Sequence, residues 1–549
     1  MAGSASAGDG RRNMKTLVRL GVATVLGAAF LAACGGDDEG SSNSPGSGGK
    51  SGSNGEGGSG AALPSGGISG GGAAGSTDEA PGGSAGDTGE AGQSGALGTA
   101  GSGGTAGSGG TAGLGGTAGL GGTAGSGGAA APASGKADAV CQGRLLGVQP
   151  GQFTFVGDPA TGDVLLAAEL MGPSDIGGGT LAGHQFALAR YDANCNLLWT
   201  KLFKSNSGYA APSHDGLAIG ADGSILLAGD FTGTMTLGGT AMVAGGANGN
   251  IFVARFDKDG AHRWSRNFGN PQDTPMQIAA AAIDKDGNAV FVGDVANFGG
   301  PVLDFGGGAL TGRYFTVKLD ANGNHVWSRG ETNAVEQVVI DASGNVLASG
   351  NRAERAVVKR ASADGSELWV AAFGVTGTGL DGTPYIALAP EGDVYYVSTF
   401  SGSLTVAPGI ILSAAGPSAT GEALVFAQLA SATGVPRWVK SLSPLGSHIA
   451  TRGIATVHQD LLMLGESGGG LDFGGGPVGN SIFFARLTAG GAHVTSGQLV
   501  APLLNSGSDG LGNVVLSGRF PTAAIDFGLG PIPAPADSGN AAYFVKLKY

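Results

Sequence analysis

Residues 465–469, Gly-Glu-Ser-Gly-Gly, match the G-x-S-x-G pattern that presents a nucleophilic serine in many hydrolases. That chemistry needs a strand before the motif and a helix directly after it. An apolar strand does precede Ser467, but residues 470–474 read Gly-Leu-Asp-Phe-Gly and do not form a helix. Since 111 of the 549 residues are Gly, such a match arises easily by chance. We therefore interpret the match as a chance occurrence, and we assign no catalytic residue.

Two acidic turns, 257–260 and 284–287, share the sequence Asp-Lys-Asp-Gly and raise the question of calcium binding. A calcium loop of the EF-hand kind carries alternating ligands up to a Gly at its sixth position and a Glu at its twelfth. Here Gly comes at the fourth position, and equivalent turns elsewhere carry Asn or Ser. The pattern predicts hairpin turns, with a weak surface ion as the alternative. We expect no metal site and no cofactor.

The seven His residues show neither the H-x-H nor the HExxH spacing of a metal site. Three of them share one position, just before a recurring Trp, on what we predict to be an exposed outermost strand: His262, His325 and His493. His214, followed by Asp215, and His448 fall where predicted innermost strands begin, near the mouth of a channel. A structural role is expected for these two, and an acid–base or metal role is the alternative.

A further phrase, Leu/Ile-Asp-Phe-Gly, occurs at 303–306, 471–474 and 525–528. Each copy lies in a long connection between two predicted strands. We expect a repeated turn that tucks the Phe under its sheet. The alternative is that the Asp binds a ligand.

Cys34 closes an N-terminal export signal. Four basic residues between positions 11 and 19 precede the apolar run 20–33, which ends Leu-Ala-Ala directly before Cys34. This order of segments is that of a signal peptide, and the run is shorter than the about 20 residues that span a bilayer. The residues before Cys34 resemble a bacterial lipobox, so we predict a lipoprotein signal peptide over 1–34 and lipidation of Cys34. The lipid would hold the protein on the bacterial outer membrane or cell surface. A cleaved secretory signal, a short anchor helix and twin-arginine export are the alternatives, and Met14 is an alternative start.

Residues 35–138 form a low-complexity segment. Of the 102 residues from 35 to 136, 40 are Gly and none is aromatic. The segment lacks the apolar side chains that offset the entropy lost on ordering, and it has no Gly-X-Y period. We expect a disordered linker that spans roughly 50–60 Å as a flexible coil. A structured or adhesive Gly-rich segment is the alternative.

The remaining residues, 139–549, consist of a repeat. A short strand of alternating apolar residues that ends near Arg, Lys or Gln recurs seven times, as at 186–191 and 251–256. A turn and then a Trp follow it, and this column holds every Trp of the chain: Trp199, Trp264, Trp327, Trp369 and Trp438. The sixth copy has Thr495 instead. Upstream of each copy lies a second apolar strand, which begins at turns such as Asp-Gly. Four short antiparallel strands per repeat predict an all-β fold, a β-propeller of about seven four-stranded blades.

The last repeat lacks its fourth strand, and an unmatched strand, 143–149, stands at the front of the domain. If this strand completes the last blade, the ring closes and no sheet edge stays open. Cys195 holds a turn position that is Gly in four other repeats, and Cys141 would lie on the adjacent blade at the same level. The predicted lipid uses the thiol of Cys34, so Cys141 and Cys195 are the two Cys residues that remain. Because the predicted export places them in an oxidising compartment, we predict a disulfide between them. Two free thiols are the alternative, since the blades diverge at the rim and a bridge needs Cα atoms within about 7 Å.

Taken together, the Asp-Gly turn, the Leu-Asp-Phe-Gly-Gly phrase and the Lys-Leu-Asp…Trp order resemble the SBBP-type β-propeller repeat. Lipid-anchored members with Gly-rich stalks are common in myxobacteria-like deltaproteobacteria, and the resemblance covers about 140–549. It implies the propeller architecture and says almost nothing about activity. The phrase Thr433-Gly434…Trp438 is also similar to the Trp-docking motif of quinoprotein and outer-membrane-assembly propellers. That similarity implies that the Trp column packs blade on blade.

Charge and loop composition narrow the partners. The net charge is −13, and no cluster of Lys or Arg occurs beyond the first 20 residues. Nucleic acid and anionic membrane surfaces are therefore poor partners for the folded part. The loops are rich in Gly, Ala, Ser, Thr and Pro, which favours a monomeric, non-enzymatic propeller that presents loops to a protein or polysaccharide. The alternatives are a lyase or hydrolase that acts on glycans at the channel mouth, and an outer-membrane assembly scaffold.

Overall fold

The computed structural model describes residues 138–549, apart from 207–209, 270–272, 296–302, 332–333, 353, 377–381, 415–420, 447 and 537. The predicted signal peptide, Cys34 and the Gly-rich linker up to residue 137 lie outside the described residues. No helix in the described part of the chain is long and apolar enough to cross a membrane.

These residues form seven consecutive sheets of four antiparallel strands, A to D from the channel to the rim, which confirms the predicted β-propeller. Strands A are residues 153–157, Ala210–Ile219, Met276–Ile283, Gln337–Ile340, Tyr385–Leu388, Ile449–Val457 and Asn505–Ser508. Strands B are Val164–Asp175, Ile225–Phe231, Ala289–Val295, Val346–Arg352, Val394–Ser401, Asp460–Ser467 and Asn513–Arg519. Strands C are His184–Tyr191, Asn250–Phe256, Tyr314–Leu319, Glu354–Arg360, Glu422–Leu429, Ser481–Leu487 and Ala541–Lys548. Strands D of blades 1 to 6 are Leu197–Phe203, His262–Phe268, His325–Glu331, Glu367–Thr376, Pro436–Leu442 and His493–Gln498.

Strands B and C carry the core because each of them lies between two neighbouring blades. Val394–Ser401 and Glu422–Leu429 are buried at every position. Such strands read as largely apolar runs with few exposed positions, since both of their faces are covered. The outer strand is different: in His262–Phe268, Trp264 is the one fully buried side chain.

The N-terminal strand Asp138–Gly157 belongs to two blades and closes the ring. Its first part runs beside strand C of blade 7, from Asp138 opposite Lys548 to Leu146 opposite Ala541. Its last part, 153–157, is strand A of blade 1. The prediction that 143–149 supplies the missing outer strand is confirmed for 143–146. The paired segment begins five residues earlier than predicted, at Asp138, and ends at Leu146.

Each Trp of an outer strand packs onto the C–D turn of the next blade. Trp264 donates its indole N–H to the Ala321 carbonyl at 2.8 Å, and a Cβ added at Gly323 would come within 2.8 Å of its ring. Gly323 has a φ of +77°, so both the turn and the close approach require Gly there. The same bond recurs from Trp327 to Ser362, from Trp369 to Ser431 and from Trp438 to Ala489. The Trp column is therefore a device that docks one blade on the next.

Blade 6 lacks this Trp because blade 7 has no C–D turn to receive it. Thr495 holds the equivalent position on strand D, opposite Arg486. In blade 7, strand D comes from residues 138–146, so no turn links it to strand C.

At the seam between blades 7 and 1, a disulfide replaces the Trp–Gly contact that joins the other blades. Cys141 lies opposite Lys546, as Trp264 lies opposite Arg255, so Cys141 occupies the Trp position of blade 7. Cys195 occupies the Gly position of the blade 1 turn, with a φ of +61° that residues with a Cβ rarely adopt. The two residues are disulfide-bonded, and their Cα atoms lie 5.8 Å apart. This separation is ordinary for such a bridge.

The Lys or Arg side chain that recurs near the end of strand C is buried and connects two blades. Lys318 and Asp284 each keep 2% of their side-chain surface, and their charged atoms lie 3.2 Å apart. Lys318 Nζ also donates to Ser362 Oγ of the next blade at 2.7 Å. Lys546 repeats this across the seam by donating to the Gly162 carbonyl of blade 1. Packing therefore explains why the sequence repeats a cation at this position.

Candidate functional site

Strand A of blade 2 departs from the regular pattern and reaches into the channel. Its pairing with strand B skips from Pro212 to Leu217, so that residues 213–216 form a bulge, which we call the channel plug. Bulges re-aim side chains and are common beside functional sites. This one carries His214 and Asp215.

The channel plug contacts two blades that do not adjoin blade 2. His214 Nε2 lies 2.7 Å from the Leu504 carbonyl, and Asn505 Nδ2 of blade 7 donates to the His214 carbonyl at 3.0 Å. Gln337 of blade 4 donates its Nε2 to Asp215 Oδ2 at 2.6 Å. The bulge therefore crosses the channel and fastens innermost strands from different parts of the ring to one another.

His214 is held as a cation. Its Nδ1 lies 3.2 Å from Asp215 Oδ1, so both ring nitrogens face acceptors, and only the protonated ring donates at both. The His214 side chain is 44% exposed, because one side of its ring borders the open channel. Protein covers the other sides of the ring. Burial opposes the charge and so does Arg452, but Asp215 and then the Leu504 carbonyl raise the pKa of His214 to about 9. Despite burial, His214 and Gln337 hold the pKa of the Asp215 carboxyl below its usual range.

A small cavity remains beside the plug. Its volume is about 50 Å³, room for about three or four water molecules. Strands A of five blades supply its polar wall, which includes His214, Asp215, Gln337, Tyr385, Arg452 and Ser506. Arg452 forms a two-point ion pair with Glu466, with distances of 3.0 Å and 3.1 Å. The cavity is far below the 300–1,000 Å³ of typical ligand sites, so it has no room for a sugar chain.

The sequence pattern pointed to His214 and Asp215 but not to Gln337, Tyr385 and Arg452. These residues stand on strands A, which vary from 4 residues in Gln337–Ile340 to 10 in Ala210–Ile219. No fixed spacing from the repeated turns therefore marks the positions that face the channel.

His448 and Ser467 do not line this cavity. His448 Nδ1 lies 3.2 Å from Glu422 Oε2. Ser467 ends strand B of blade 6, and its hydroxyl is hydrogen-bonded to the backbone of Gly469. The short strand Leu471–Asp472 follows, not a helix. Ser467 is therefore the last residue of a paired strand and does not stand in the strand–turn–helix arrangement of a nucleophilic serine.

The acidic turns are hairpin turns, as expected. Asp257 Oδ1 accepts from the N–H groups of Asp259 and Ala261 at 3.1 Å and 2.7 Å, and Asp284 binds its own turn in the same way. Among the residues that the structure describes, no group of three or more His, Cys, Asp or Glu could hold a metal ion.

The Leu-Asp-Phe-Gly phrase forms a small hairpin in the connection between strands B and C. Asp304 Oδ1 accepts from the N–H groups of Gly306 and Gly308 at 2.7 Å and 3.0 Å, and Phe305 is buried. Asp472 binds its turn identically. The expected turn signature is confirmed.

The prediction that His262, His325 and His493 are exposed is wrong, since all three are half-buried. The His325 ring lies under the hairpin, where a Cβ added at Gly307 would come within 2.0 Å of it, and its Nε2 lies 3.0 Å from Ser328 Oγ. Burial lowers the pKa of His262. The hairpin folds over the outer strand, and an alignment of repeats does not reveal that contact.

The two faces of the propeller differ in what they offer a ligand. The B–C and D–A connections share one face, which we call the B–C face, and the A–B and C–D turns share the opposite C–D face. On the B–C face, between blades 7 and 1, lies a groove of about 440 Å³, whose walls include Arg144, Met171, Pro173, Pro535 and Asn540. Its volume falls in the range of ligand sites. Five aliphatic side chains on this face are at least half exposed: Val243, Ile411, Leu445, Val500 and Leu529. Four others that are at least half exposed lie at the opposite end of the blades: Leu198, Leu368, Val435 and Leu511.

No protein-family profile matches the chain, and no curated protein does. Among solved structures, BamB from Moraxella catarrhalis is 14% identical over 73% of this chain and 98% of that chain, with a TM-score of 0.35. The Dos1 propeller is 9% identical over 74% and 94%, with a TM-score of 0.39. Quinohemoprotein alcohol dehydrogenase from Comamonas testosteroni is 9% identical over 75% and 76%, with a TM-score of 0.38. Similarities this weak carry no conclusion about function, and the seven-bladed architecture stands on the strand pairing of this chain.

Proposed function

We propose that this protein is a lipid-anchored binding propeller of the bacterial outer membrane or cell surface. In this proposal it is an SBBP-type repeat lipoprotein, Cys34 carries the lipid, and residues 35–138 are the spacer. The propeller acts as a monomer without a cofactor and presents its B–C face to a protein or a polysaccharide. The observation that carries the proposal is the face at which the chain enters the propeller.

The chain enters at the C–D face. Asp138 pairs with Lys548, at the end of strand C of blade 7, and Leu146 pairs with Ala541 at its beginning. Strand C begins at the B–C face and ends at the C–D face. Whatever precedes residue 138 therefore joins the C–D face, which leaves the B–C face free of the incoming chain.

The B–C face also has features that suit a ligand. It contains the groove between blades 7 and 1 and five exposed aliphatic side chains. The glycan-acting lyase or hydrolase is less well supported, because the channel cavity of about 50 Å³ is too small for its substrate.

A matched pair of surface variants tests the proposal. Leu529 lies on the B–C face and is 50% exposed, whereas Leu511 lies in an A–B turn on the C–D face and is 51% exposed. Full-length protein with Cys34→Ser is immobilised, and binding of purified envelope proteins and of surface polysaccharide is measured in separate arms. Leu529→Asp should weaken binding about tenfold or more, as loss of a central apolar contact does, and Leu511→Asp should leave it unchanged.

The two arms separate a protein ligand from a polysaccharide ligand. Equal effects of Leu529→Asp and Leu511→Asp, or binding in neither arm, would rule out the B–C face as the binding surface.

A further inference from the structure

Blade 5 differs from the other blades in the connection between its strands B and C. This connection contains a hairpin of two strands, Ser403–Ala407 and Ile410–Ser413. In the described hairpins of blades 2, 3 and 6, each strand has two residues. Strand D of blade 4, Glu367–Thr376, is also lengthened to 10 residues, and its last three pair with the hairpin. The hairpin therefore extends blade 4 to a sheet of six strands.

The strand Ile410–Ser413, which we call the edge strand, ends this sheet on one side. The N–H of Ala414 donates to the Gly402 carbonyl at 2.8 Å, which fixes the side to which each residue of the strand points. Because the backbone groups of neighbouring residues alternate between the two sides of a strand, those of Ile411 and Ser413 point away from the hairpin. No strand in the described part of the chain pairs with that open side. The natural complement of such a row of N–H and C=O groups is another peptide backbone.

The hairpin is held firmly in place by the core. Leu404, Val406 and Ala414 are buried in the same apolar cluster as Phe373 and Phe400. A strand that is already ordered loses little conformational entropy when a partner pairs with it. The open side is therefore preformed for binding.

The edge strand also lacks the usual protection of a sheet edge. Natural edges are blocked by Lys, by Pro or by inward-pointing charges, but residues 402–421 contain no charged residue and the edge strand contains no Pro. Ile411 is 66% exposed and Ile410 is 38% exposed. A charged group placed against these side chains would lose hydration without gaining an ion pair. The edge strand therefore favours an uncharged, aliphatic partner segment.

We propose that the edge strand binds an extended, uncharged, aliphatic segment of a partner protein by strand addition. This inference rests on the proposed function, because the hairpin belongs to the B–C face, and it specifies the ligand of that face as a protein. The molecule already uses the same mode of pairing within itself, since residues 403–405 of blade 5 add to residues 374–376 of blade 4. A polysaccharide has no backbone with the alternating donors and acceptors of a strand.

The test uses a fluorescent peptide with blocked ends and the sequence Ser-Leu-Thr-Val-Ala, which pairs with the edge strand from its inner side in the folded protein. The peptide is titrated with full-length protein that carries Cys34→Ser, and binding is measured by fluorescence anisotropy. Binding should be saturable. The same peptide with an N-methyl group on every residue keeps its side chains but has no N–H donors, so it should bind roughly tenfold more weakly or worse.

Two variants change the edge strand, and one matched variant changes another exposed hairpin. Ile411→Lys places a charge on the edge, and Ser413→Pro removes an N–H that points to the open side. Each should weaken peptide binding roughly tenfold. Val243 ends the two-residue outer strand of the blade 2 hairpin and is 61% exposed, so Val243→Lys should bind the peptide as the wild type does. The melting temperature of each variant shows whether it has kept its fold.

Four results would overturn the inference. They are the absence of saturable peptide binding, equal binding of the N-methylated peptide, equal effects of Ile411→Lys and Val243→Lys, and a dimer that Ile411→Lys dissociates in sedimentation velocity. The last result would assign the edge strand to a second copy of this chain.

Failure of this inference can be told apart from failure of the proposed function. Binding of envelope proteins that Leu529→Asp weakens and Ile411→Lys leaves unchanged would overturn this inference alone. Binding of neither envelope proteins nor polysaccharide, together with saturable binding of the peptide, would refute the proposed function and leave the edge strand as a site of strand addition.

Discussion

A Trp ring rests on a Gly in the left-handed region at five of the seven blade junctions. The five Gly residues have φ values between +69° and +77°: Gly260, Gly323, Gly365, Gly434 and Gly491. At each of them two requirements coincide, a backbone that disfavours any Cβ and a ring that occupies the space of that Cβ. The column therefore keeps Gly for packing as much as for the turn.

Gly323→Ala separates these two effects when it is compared with Gly308→Ala. Gly308 has a φ of +97° but nothing within 4 Å of an added Cβ, whereas a Cβ at Gly323 would come within 2.8 Å of Trp264. Both variants should lose stability through backbone strain. Gly323→Ala should lose about 1–3 kcal/mol more, the usual cost of overpacking. Urea denaturation of the two variants measures the difference, and equal losses would show that the ring moves aside freely.

Residue columns of this kind could be predicted because they recur at fixed distances from a turn. All five Trp residues and the Gly opposite them stand in register in the sequence, and the structure docks them on one another. The exposure of His262 could not be predicted in this way. Its burial depends on Gly238 and Gly239, which come back over the outer strand from a connection between strands B and C of variable length.

Strands B and C could be predicted better than strand A, for a physical reason. A strand between two blades is covered on both faces, so its composition is fixed by burial, as in Asn250–Phe256. Strand A borders an open channel, so its residues are selected by contacts across the ring. The contact of Asp215 with Gln337 spans 122 positions in the chain. No periodic signal reports such a contact, and the channel plug was therefore missed.

The channel plug makes stability depend on pH. The pKa of His214 rises from 6.5 to about 9 in the folded protein, so the folded state holds its proton more tightly than the unfolded chain. The stabilisation is complete below pH 6.5 and is lost as the pH rises through 9. Besides Asp215, the charged group that acts on His214 is Arg452, which stays charged throughout this window. The pKa of His262 is lowered, so this residue changes the stability only below pH 6.5, outside the range in which His214 titrates.

We expect the free energy of unfolding to fall between pH 6.5 and 9, and His214→Gln to flatten this part of the profile. Asp215→Asn should flatten it as well, because the carboxylate is what holds the proton on His214. Urea denaturation across this pH range measures both. A wild-type slope that persists in the two variants would assign the pH dependence to other groups.

At the scale of the whole molecule, the weak point of a propeller is the seam where the first and last blades meet. Strand D of blade 7 is separated from its strand C by almost the whole domain in sequence, so the chain itself does not hold them together. Hydrogen bonds from Asp138 to Leu146 and the disulfide between Cys141 and Cys195 do so instead. The sequence identified Cys195 as an exception in the Gly column. It could not place Cys141 in the Trp column, because that register appears only when the ring is closed.

The equivalence of the disulfide and the Trp–Gly contact can be tested by exchanging one for the other. The bond closes a loop of 54 positions, which corresponds to about 4 kcal/mol of stabilisation from loop entropy. Cys141→Ser with Cys195→Ser should therefore lower the free energy of unfolding by about 2–4 kcal/mol and should remove its sensitivity to dithiothreitol. Cys141→Trp with Cys195→Gly should recover part of that loss without a bond, because Gly accepts the φ of +61° and the ring can rest on it as at the other junctions. Urea denaturation with and without reductant compares the three proteins. If the Trp–Gly pair is no more stable than the Ser pair, the seam is held by its covalent bond alone and the two contacts are not interchangeable.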